Sequence, residues 1–468
     1  MNASKPDIIV FMTDQQHCRT IGGRSVCKTP NLNALLQSGT LFDNAFCPTP
    51  ICTPSRASCQ TGLLPHQHRL VHNTHRNYHI LEDLPTGTKT LGNIFSDAGY
   101  QTGYAGKWHV GKNKTPLDFG YKHFPQTRQH KADANSHKDP VFIPGTSGKS
   151  IISAVSQTSR ENTEPFLVAE TADSLIRDFS GRSEPFFLFI STLSPHVPWI
   201  CPKEYADLYN PGEIDAPSSY SRGMTGKPYS YKHHYNGHND CRFPDDWKSI
   251  AVSIARYYGI CTLIDDAFGA IIESLKRNGR FDNTWIIFTS DHGEMLGEHG
   301  MIGKGEYLLD DLIRIPLAIK APAGIPSRIH ADEFVGLTDI FATLADAAGL
   351  KTEIPASSRS LLPLLEKAGS REIFPDEMVT EHHGSMFFNT VRALRTADFK
   401  YVFRAHEDDE LYDLKKDPGE MVNLVADSNY APTLLQMRKR LVEKMTDSGD
   451  MAAKGAESEL FLNPSGGK

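Results

Sequence analysis

Three apolar runs do most to restrict what this chain can become: residues 7–13 (Asp-Ile-Ile-Val-Phe-Met-Thr), 185–193 (Pro-Phe-Phe-Leu-Phe-Ile-Ser-Thr-Leu) and 284–289 (Thr-Trp-Ile-Ile-Phe-Thr). Apolar and polar residues do not alternate in them, so each reads as a strand buried on both faces, the kind found in parallel sheets covered by helices. Helical spacing falls between and after them. Residues 30–39, 52–62, 90–98, 247–278 (Ile250, Ile254, Tyr257, Cys261, Ile264, Phe268, Ile271, Leu275) and 338–348 are predicted helices, with Gly99 and Gly279 ending two of them. A fourth strand is predicted at 315–321. This alternation specifies an α/β domain with a mostly parallel sheet. Past residue 370 the pattern shortens to alternating runs at 390–395, 400–404 and 410–414, followed by an amphipathic helix at 431–447. The expected division is a domain over 1–370 and a smaller antiparallel sheet plus helix over 371–468.

At 468 residues the chain exceeds what one core usually serves, in keeping with two units. A net charge of -7 argues against general nucleic-acid binding. The eight cysteines lack CxxC spacing and read as reduced thiols. No apolar run approaches the length of a membrane span. Residues 1–7 carry no signal-peptide pattern, so the expected location is cytoplasmic, or periplasmic or secreted where a leader has been removed. Two polar excursions interrupt the pattern, at about 126–165 and 210–244. The second is rich in Tyr and His (Tyr229, Tyr231, His233, His234, Tyr235) and reads as a substrate lid, a contact between copies in a homo-oligomer, or an exposed loop.

Open α/β sheets bind ligands beyond the carboxyl ends of their strands. Here Asp14 and Gln15 follow the first run, Asp291 and His292 the third, and His196 the second. Lys107 and His109 follow an extended stretch at 100–106. A single strand-end aspartate is commonly a turn or cap residue. Several on one edge favour a site. Prolines at 48, 50 and 54 hold the chain extended up to Cys52 and suit a helix beginning there, with Arg56 one turn on. A helix start and a fixed guanidinium together favour an anion. Asp14 and Asp291 are hard oxygen ligands for a divalent cation, Gln15 offers an amide oxygen and His292 an imidazole nitrogen. Lys107, His109, His196 and Lys304 would surround the anion and a leaving oxygen. Lys112 and Lys114 read as surface charges or, weakly for Lys112, as part of that ring.

Cys52, Pro54 and Arg56 make up Cys-x-Pro-x-Arg, and with Gly106-Lys107-Trp108-His109, Pro195-His196-Val197-Pro198, Ser290-Asp291-His292-Gly293, Gly303-Lys304 and Leu411-Tyr412-Asp413-Leu414 the chain resembles the formylglycine-dependent (type I) sulfatases of the alkaline-phosphatase-like superfamily. The resemblance implies a large mixed, mostly parallel sheet sandwiched by helices, with a smaller C-terminal antiparallel sheet and helix. It implies that a formylglycine-generating or anaerobic sulfatase-maturating enzyme oxidises Cys52 to formylglycine. The hydrate would attack sulfur, expel the alcohol and leave a sulfated intermediate, which collapses with His109 as base. Arg56 and Lys107 would hold the modified residue and sulfate, and His196 and Lys304 would bind sulfate and assist the leaving oxygen. Asp14, Gln15, Cys52, Asp291 and His292 would hold the metal, Ca2+ first and Mn2+ as the alternative. The implied substrate is a sulfate ester, by analogy that of a sulfated carbohydrate, with no nucleic acid and no membrane involved.

Two positions depart from the family pattern. Gln15 stands where many sulfatases carry a second Asp, and His292 where they carry Asn. Both substitutions resemble phosphonate monoester and phosphodiester hydrolases of the same superfamily, which supplies the alternative reading. A third is a silent protein that captures sulfated glycans with Cys52 as a thiol.

Overall fold

The computed structural model describes residues 5–23, 25–75, 79–129, 137–144, 150–237, 246–366, 374, 376–385 and 388–462. Fourteen strands are formed among them: β1 (Asp7–Thr13), β2 (Thr40–Phe46), β3 (Gln101–Gly106), β4 (Lys138–Phe142), β5 (Ile151–Ser156), β6 (Phe186–Ser191), β7 (Trp199–Pro202), β8 (Thr284–Ser290), β9 (Leu317–Lys320), β10 (His330–Gly336), β11 (Glu377–His382), β12 (Val391–Thr396), β13 (Phe399–Arg404) and β14 (Glu410–Asp413). Seven make the main sheet, in the order β10-β2-β9-β8-β1-β6-β3.

The three apolar runs are β1, β6 and β8, side by side and parallel. Their side chains alternate between two cores. Ile8, Val10 and Met12 pack on the face that carries the helices Cys52–Thr61, Leu91–Asp97 and Asp339–Ala347. Ile9 and Phe11 pack on the other face, under Pro30–Leu36, Glu164–Ser180 and Trp247–Arg277. Burying one such Ile or Phe stabilises by about 1.5–3 kcal/mol, which is why these strands tolerate no polar alternation. Register then places the site. Thr13 lies opposite Ser290, and Gly106 opposite Ser191, so β1, β8, β6 and β3 end at one level.

The fold class stands as expected, with some differences in detail. The predicted fourth strand, β9, runs antiparallel to both β2 and β8, a direction that apolarity alone does not encode. β2 and β10 escape a periodicity search because Asp43-Asn44 and Asp332-Glu333 interrupt them. The first excursion contains β4 and β5, which form a three-stranded sheet with β7, and its end overlaps the helix Glu164–Ser180. Its residues 130–136 and 145–149 lie outside the described residues, as do 238–245 of the second. Within the second, Lys227 and Tyr231 are buried: Lys227 donates to the Tyr412 hydroxyl at 2.9 Å, and Tyr231 packs against Tyr307. That part is packed against Tyr307 and Tyr412 and is not an exposed loop.

β11 to β14 form an antiparallel meander. The helix Ala431–Asp447 covers it, setting Leu434, Met437, Leu441 and Met445 on Leu394, Tyr401, Phe403 and Leu411. The expected boundary at 370/371 lies outside the described residues. Seven described cysteines are free thiols. No helix among the described residues is long and apolar enough to cross a membrane.

Candidate active site

Asp14 and Asp291 leave adjacent parallel strands at the same level, and one guanidinium joins them. Arg56 Nη2 donates to Asp14 Oδ2 at 2.9 Å and Nε to Asp291 Oδ2 at 2.8 Å, while Nη1 reaches Ser191 Oγ at 2.7 Å. The planar fork of arginine makes this triple bridge feasible. Lys107, at the end of β3, donates a further hydrogen bond to Asp14 Oδ2. Burial raises the pKa of the Asp14 carboxyl, but Lys107 and Arg56 outweigh it and hold the group well below the usual carboxylate range. Asp291 goes the other way: burial and the Asp14 charge raise it, against His292 and Arg56.

Cys52 opens the helix Cys52–Thr61 after an extended Ile51, and Gly62, at φ 70°, closes it in the left-handed conformation with its N–H on Ser58 O. All ten helix residues are buried. The polar ones have specific partners: Ser55 Oγ donates to the Asp291 carbonyl at 2.6 Å, and Gln60 accepts from Tyr121 at 2.8 Å. The sulfur lies 3.4 Å from His292 Nε2 and 3.8 Å from Asp14 Oδ1. Burial and Asp14 push the thiol up, but Lys304, Lys107 and His292 prevail and hold it well below the ordinary thiol range.

Lys304 and His196 form the opposite wall. Lys304 Nζ donates to Gln15 Oε1 at 2.7 Å and sits 3.2 Å from His196 Nε2. His196 Nδ1 lies 2.7 Å from the Val197 carbonyl, which assigns the proton to Nδ1 and leaves Nε2 to accept from Lys304. Burial first, then Lys304, depresses the His196 pKa to about 4. The unfolded chain therefore takes up a proton near pH 6.5 that the folded chain refuses until about 4, and stability contributed by neutral His196 is lost as pH falls through that window. His196→Gln is expected to flatten the fall in unfolding free energy between pH 6.5 and 4, read by urea titration at several pH values; an unchanged slope would refute the assignment.

Four donors, Asp14, Cys52, Asp291 and His292, lie with their ligand atoms within 4.8 Å of one another, all buried. Arg56 occupies the Oδ2 atoms, so each aspartate keeps its Oδ1 for the cluster. His292 Nδ1 lies 2.9 Å from Gly293 O, which orients Nε2 to the sulfur side. Two carboxylate oxygens and an imidazole nitrogen fit a divalent cation. Gln15 lies at the edge of this group: its backbone N–H donates to Asp291 Oδ1 at 3.0 Å, its amide oxygen faces Lys304, and its amide nitrogen donates to Glu294.

Asp14, Gln15, Cys52, Arg56, Lys107, His196, Asp291, His292 and Lys304 thus form one connected network. His109 joins a different pair. At φ 52°, its Nε2 meets His75 Nδ1 at 3.1 Å, and its buried Nδ1 has no hydrogen-bond partner among the described residues. Lys112 is half exposed and paired with Glu82 at 2.7 Å, a surface charge. Sequence reasoning missed the functions of Ser191, Glu294 and His75. Glu294 follows Asp291 in the same short motif, but no spacing rule announces that it holds Gln15.

The fold and site define a mixed α/β protein with a buried cluster of charged side chains beyond the carboxyl ends of its central parallel strands. The Sulfatase profile matches residues 6–350, and that of "N-sulphoglucosamine sulphohydrolase, C-terminal" matches residues 297–447. The chain belongs to the sulfatase family, hydrolases of sulfuric esters. It is 29% identical over 473 residues to an arylsulfatase of Clostridium perfringens, covering 94% of each chain. It is 24% identical over 529 residues to an N-acetylglucosamine-6-O-sulfatase of Bacteroides thetaiotaomicron, covering 98% of this chain and 89% of that one. Its fold matches the crystal structure of a phosphonate monoester hydrolase of Agrobacterium radiobacter with a TM-score of 0.78 at 24% identity, covering 95% and 96% of the two chains.

Proposed function

We propose that this protein hydrolyses the sulfate ester of a sulfated carbohydrate, releasing alcohol and inorganic sulfate. The observation that carries this reading is the setting of Cys52: first residue of a buried helix, within Cys-x-Pro-x-Arg, grouped with Asp14, Asp291 and His292 and under the charges of Lys107 and Lys304. Oxidised to formylglycine, residue 52 supplies as its hydrate a hydroxyl for attack on sulfur. A divalent cation held by Asp14, Asp291 and His292 beside residue 52, Ca2+ as first choice, supplies Lewis acidity and charge neutralisation. Arg56 bridges both aspartates through their Oδ2 atoms and favours the ionised form of each. Lys107 and Lys304 hold the sulfate oxygens, and His196, neutral at pH 7 and hydrogen-bonded to Lys304, orients that ammonium toward the leaving oxygen. His109 is the base acting on residue 52, its ring held by His75.

Because Cys52 is only 2% exposed, the maturating enzyme acts on the chain before this helix is packed. The carbohydrate assignment draws support from the name of the Bacteroides relative and from a cavity of about 400 Å³ beside Lys107. Gln126, Arg128, Gln129, Asn162 and Glu164 line it, hydrogen-bonding groups suited to sugar hydroxyls.

Gln15 and His292 favour one competing reading, a phosphonate monoester or phosphodiester hydrolase, because both residues resemble those enzymes at these positions and Gln15 makes the ligand set less anionic. The deciding experiment measures bound metal on purified protein and assays sulfated sugars, 4-nitrophenyl sulfate and bis(4-nitrophenyl) phosphate in parallel. Chelator treatment is expected to abolish turnover and added Ca2+ or Mn2+ to restore it. A strong preference for the diester would replace the sulfatase reading.

A further inference from the structure

Lys304 is held on a very short segment, and the segment is anchored at both ends. Gly303 N donates to the buried Glu294 carboxylate at 2.5 Å. Past Lys304, Glu306 is fully buried and accepts at least three hydrogen bonds from the stretch that begins at the end of β11: His382 Nε2 at 2.8 Å, Ser385 N at 2.7 Å and Ser385 Oγ at 2.9 Å. The segment has no slack between the anchors. A Cβ built on Gly305 would stand 2.5 Å from Tyr307 Cζ and 2.6 Å from His234 Nε2. Burying a carboxylate is costly unless its lone pairs are satisfied, and here at least three of the hydrogen bonds that do so come from His382 and Ser385. Burial opposes ionisation, but His382 and Ser385 outweigh it and bring Glu306 down to about 2, so the anchor is an anion at every working pH.

We propose that Glu306 is a positioning residue for Lys304: by binding His382 and Ser385 it ties the Lys304 segment to the β11–β12 connection, and so fixes where the ammonium meets Gln15, His196 and the substrate anion. Residues at and past the end of β11, 76 and 79 positions after Glu306 in the chain, thereby take part in setting the anion site. The strand β11 that leads into this connection also reaches the other wall, since Glu381 N donates to Pro48 O, four residues before Cys52, at 2.8 Å. The proposal rests on the reading of Lys304 as the group that binds the transferred anion.

A double-mutant cycle tests it, run with whichever of 4-nitrophenyl sulfate and bis(4-nitrophenyl) phosphate the wild type hydrolyses faster. A preference for the diester would then overturn the sulfatase reading without touching the coupling of Glu306 to Lys304. Glu306→Ala is expected to lower kcat/KM by about 100-fold, as a displacement of about 1 Å at a binding group does. Glu306→Gln, which still accepts from Ser385, is expected to recover most of that loss. Lys304→Ala combined with Glu306→Ala is expected to be no worse than Lys304→Ala alone. Losses that multiply in the double variant, or full activity in Glu306→Ala, would overturn the proposal. Should Glu306→Ala fail to fold, Ser385→Ala enters the same cycle with Lys304→Ala, and multiplying losses there count equally against it.

Discussion

Cys52→Ala is expected to lower kcat by about 10⁴-fold or more while the protein keeps its fold, because it deletes the reacting group and only a small part of the packing. Mass spectrometry of the wild-type peptide spanning Cys52 is expected to find the aldehyde in protein made by a host that matures such motifs. The two measurements test different things. An active Cys52→Ala protein would remove residue 52 from the chemistry altogether. A wild type that carries only thiol, binds sulfated glycans and turns nothing over would favour the silent glycan-capturing reading. The low pKa of the thiol does not by itself make Cys52 a cysteine nucleophile, since the charges that lower it, Lys304, Lys107 and His292, are those an anionic substrate and a metal site require.

The second large effect concerns Arg56. It is 2% exposed and donates to two buried aspartates, so Arg56→Ala leaves both facing each other without their shared cation. Loss of about 3–5 kcal/mol in unfolding free energy is expected, as for other buried pairs broken from one side, together with loss of activity. Arg56→Lys is expected to recover little of either, because an ammonium cannot serve Asp14, Asp291 and Ser191 from one plane. Urea unfolding with a parallel rate assay checks both; an Arg56→Lys protein of wild-type stability and rate would show that charge matters here and geometry does not. Added divalent cation is expected to restore part of the stability of Arg56→Ala, since it neutralises the same carboxylates.

Much of the site was legible before any coordinates, for a chemical reason. Asp14, Asp291 and His196 stand just past apolar runs that only a doubly covered strand explains, and the strands of such a sheet deliver whatever follows them to one edge. Cys52 announced itself through the prolines around it and through Arg56. His109 is the instructive partial case: the motif that carries it is specific, yet its ring pairs with His75, which no spacing in the sequence connects to it.

By itself the sequence determined the β1, β6 and β8 strands, the start and stop of the helix Cys52–Thr61, the helix Ala431–Asp447, and the residue types able to bind a cation and an anion. These are local matters, set by burial on two faces, by proline and glycine, and by donor chemistry. Only the tertiary structure decided that β9 runs antiparallel, that Arg56 spans both aspartates, that Glu294 takes the Gln15 amide, and that Glu306 is met from the C-terminal segment. Each of those joins residues far apart in the chain, 279 positions between Gln15 and Glu294 and 76 between Glu306 and His382. A hydrogen bond of that kind is satisfied or left wanting by packing alone, and local periodicity carries no record of it.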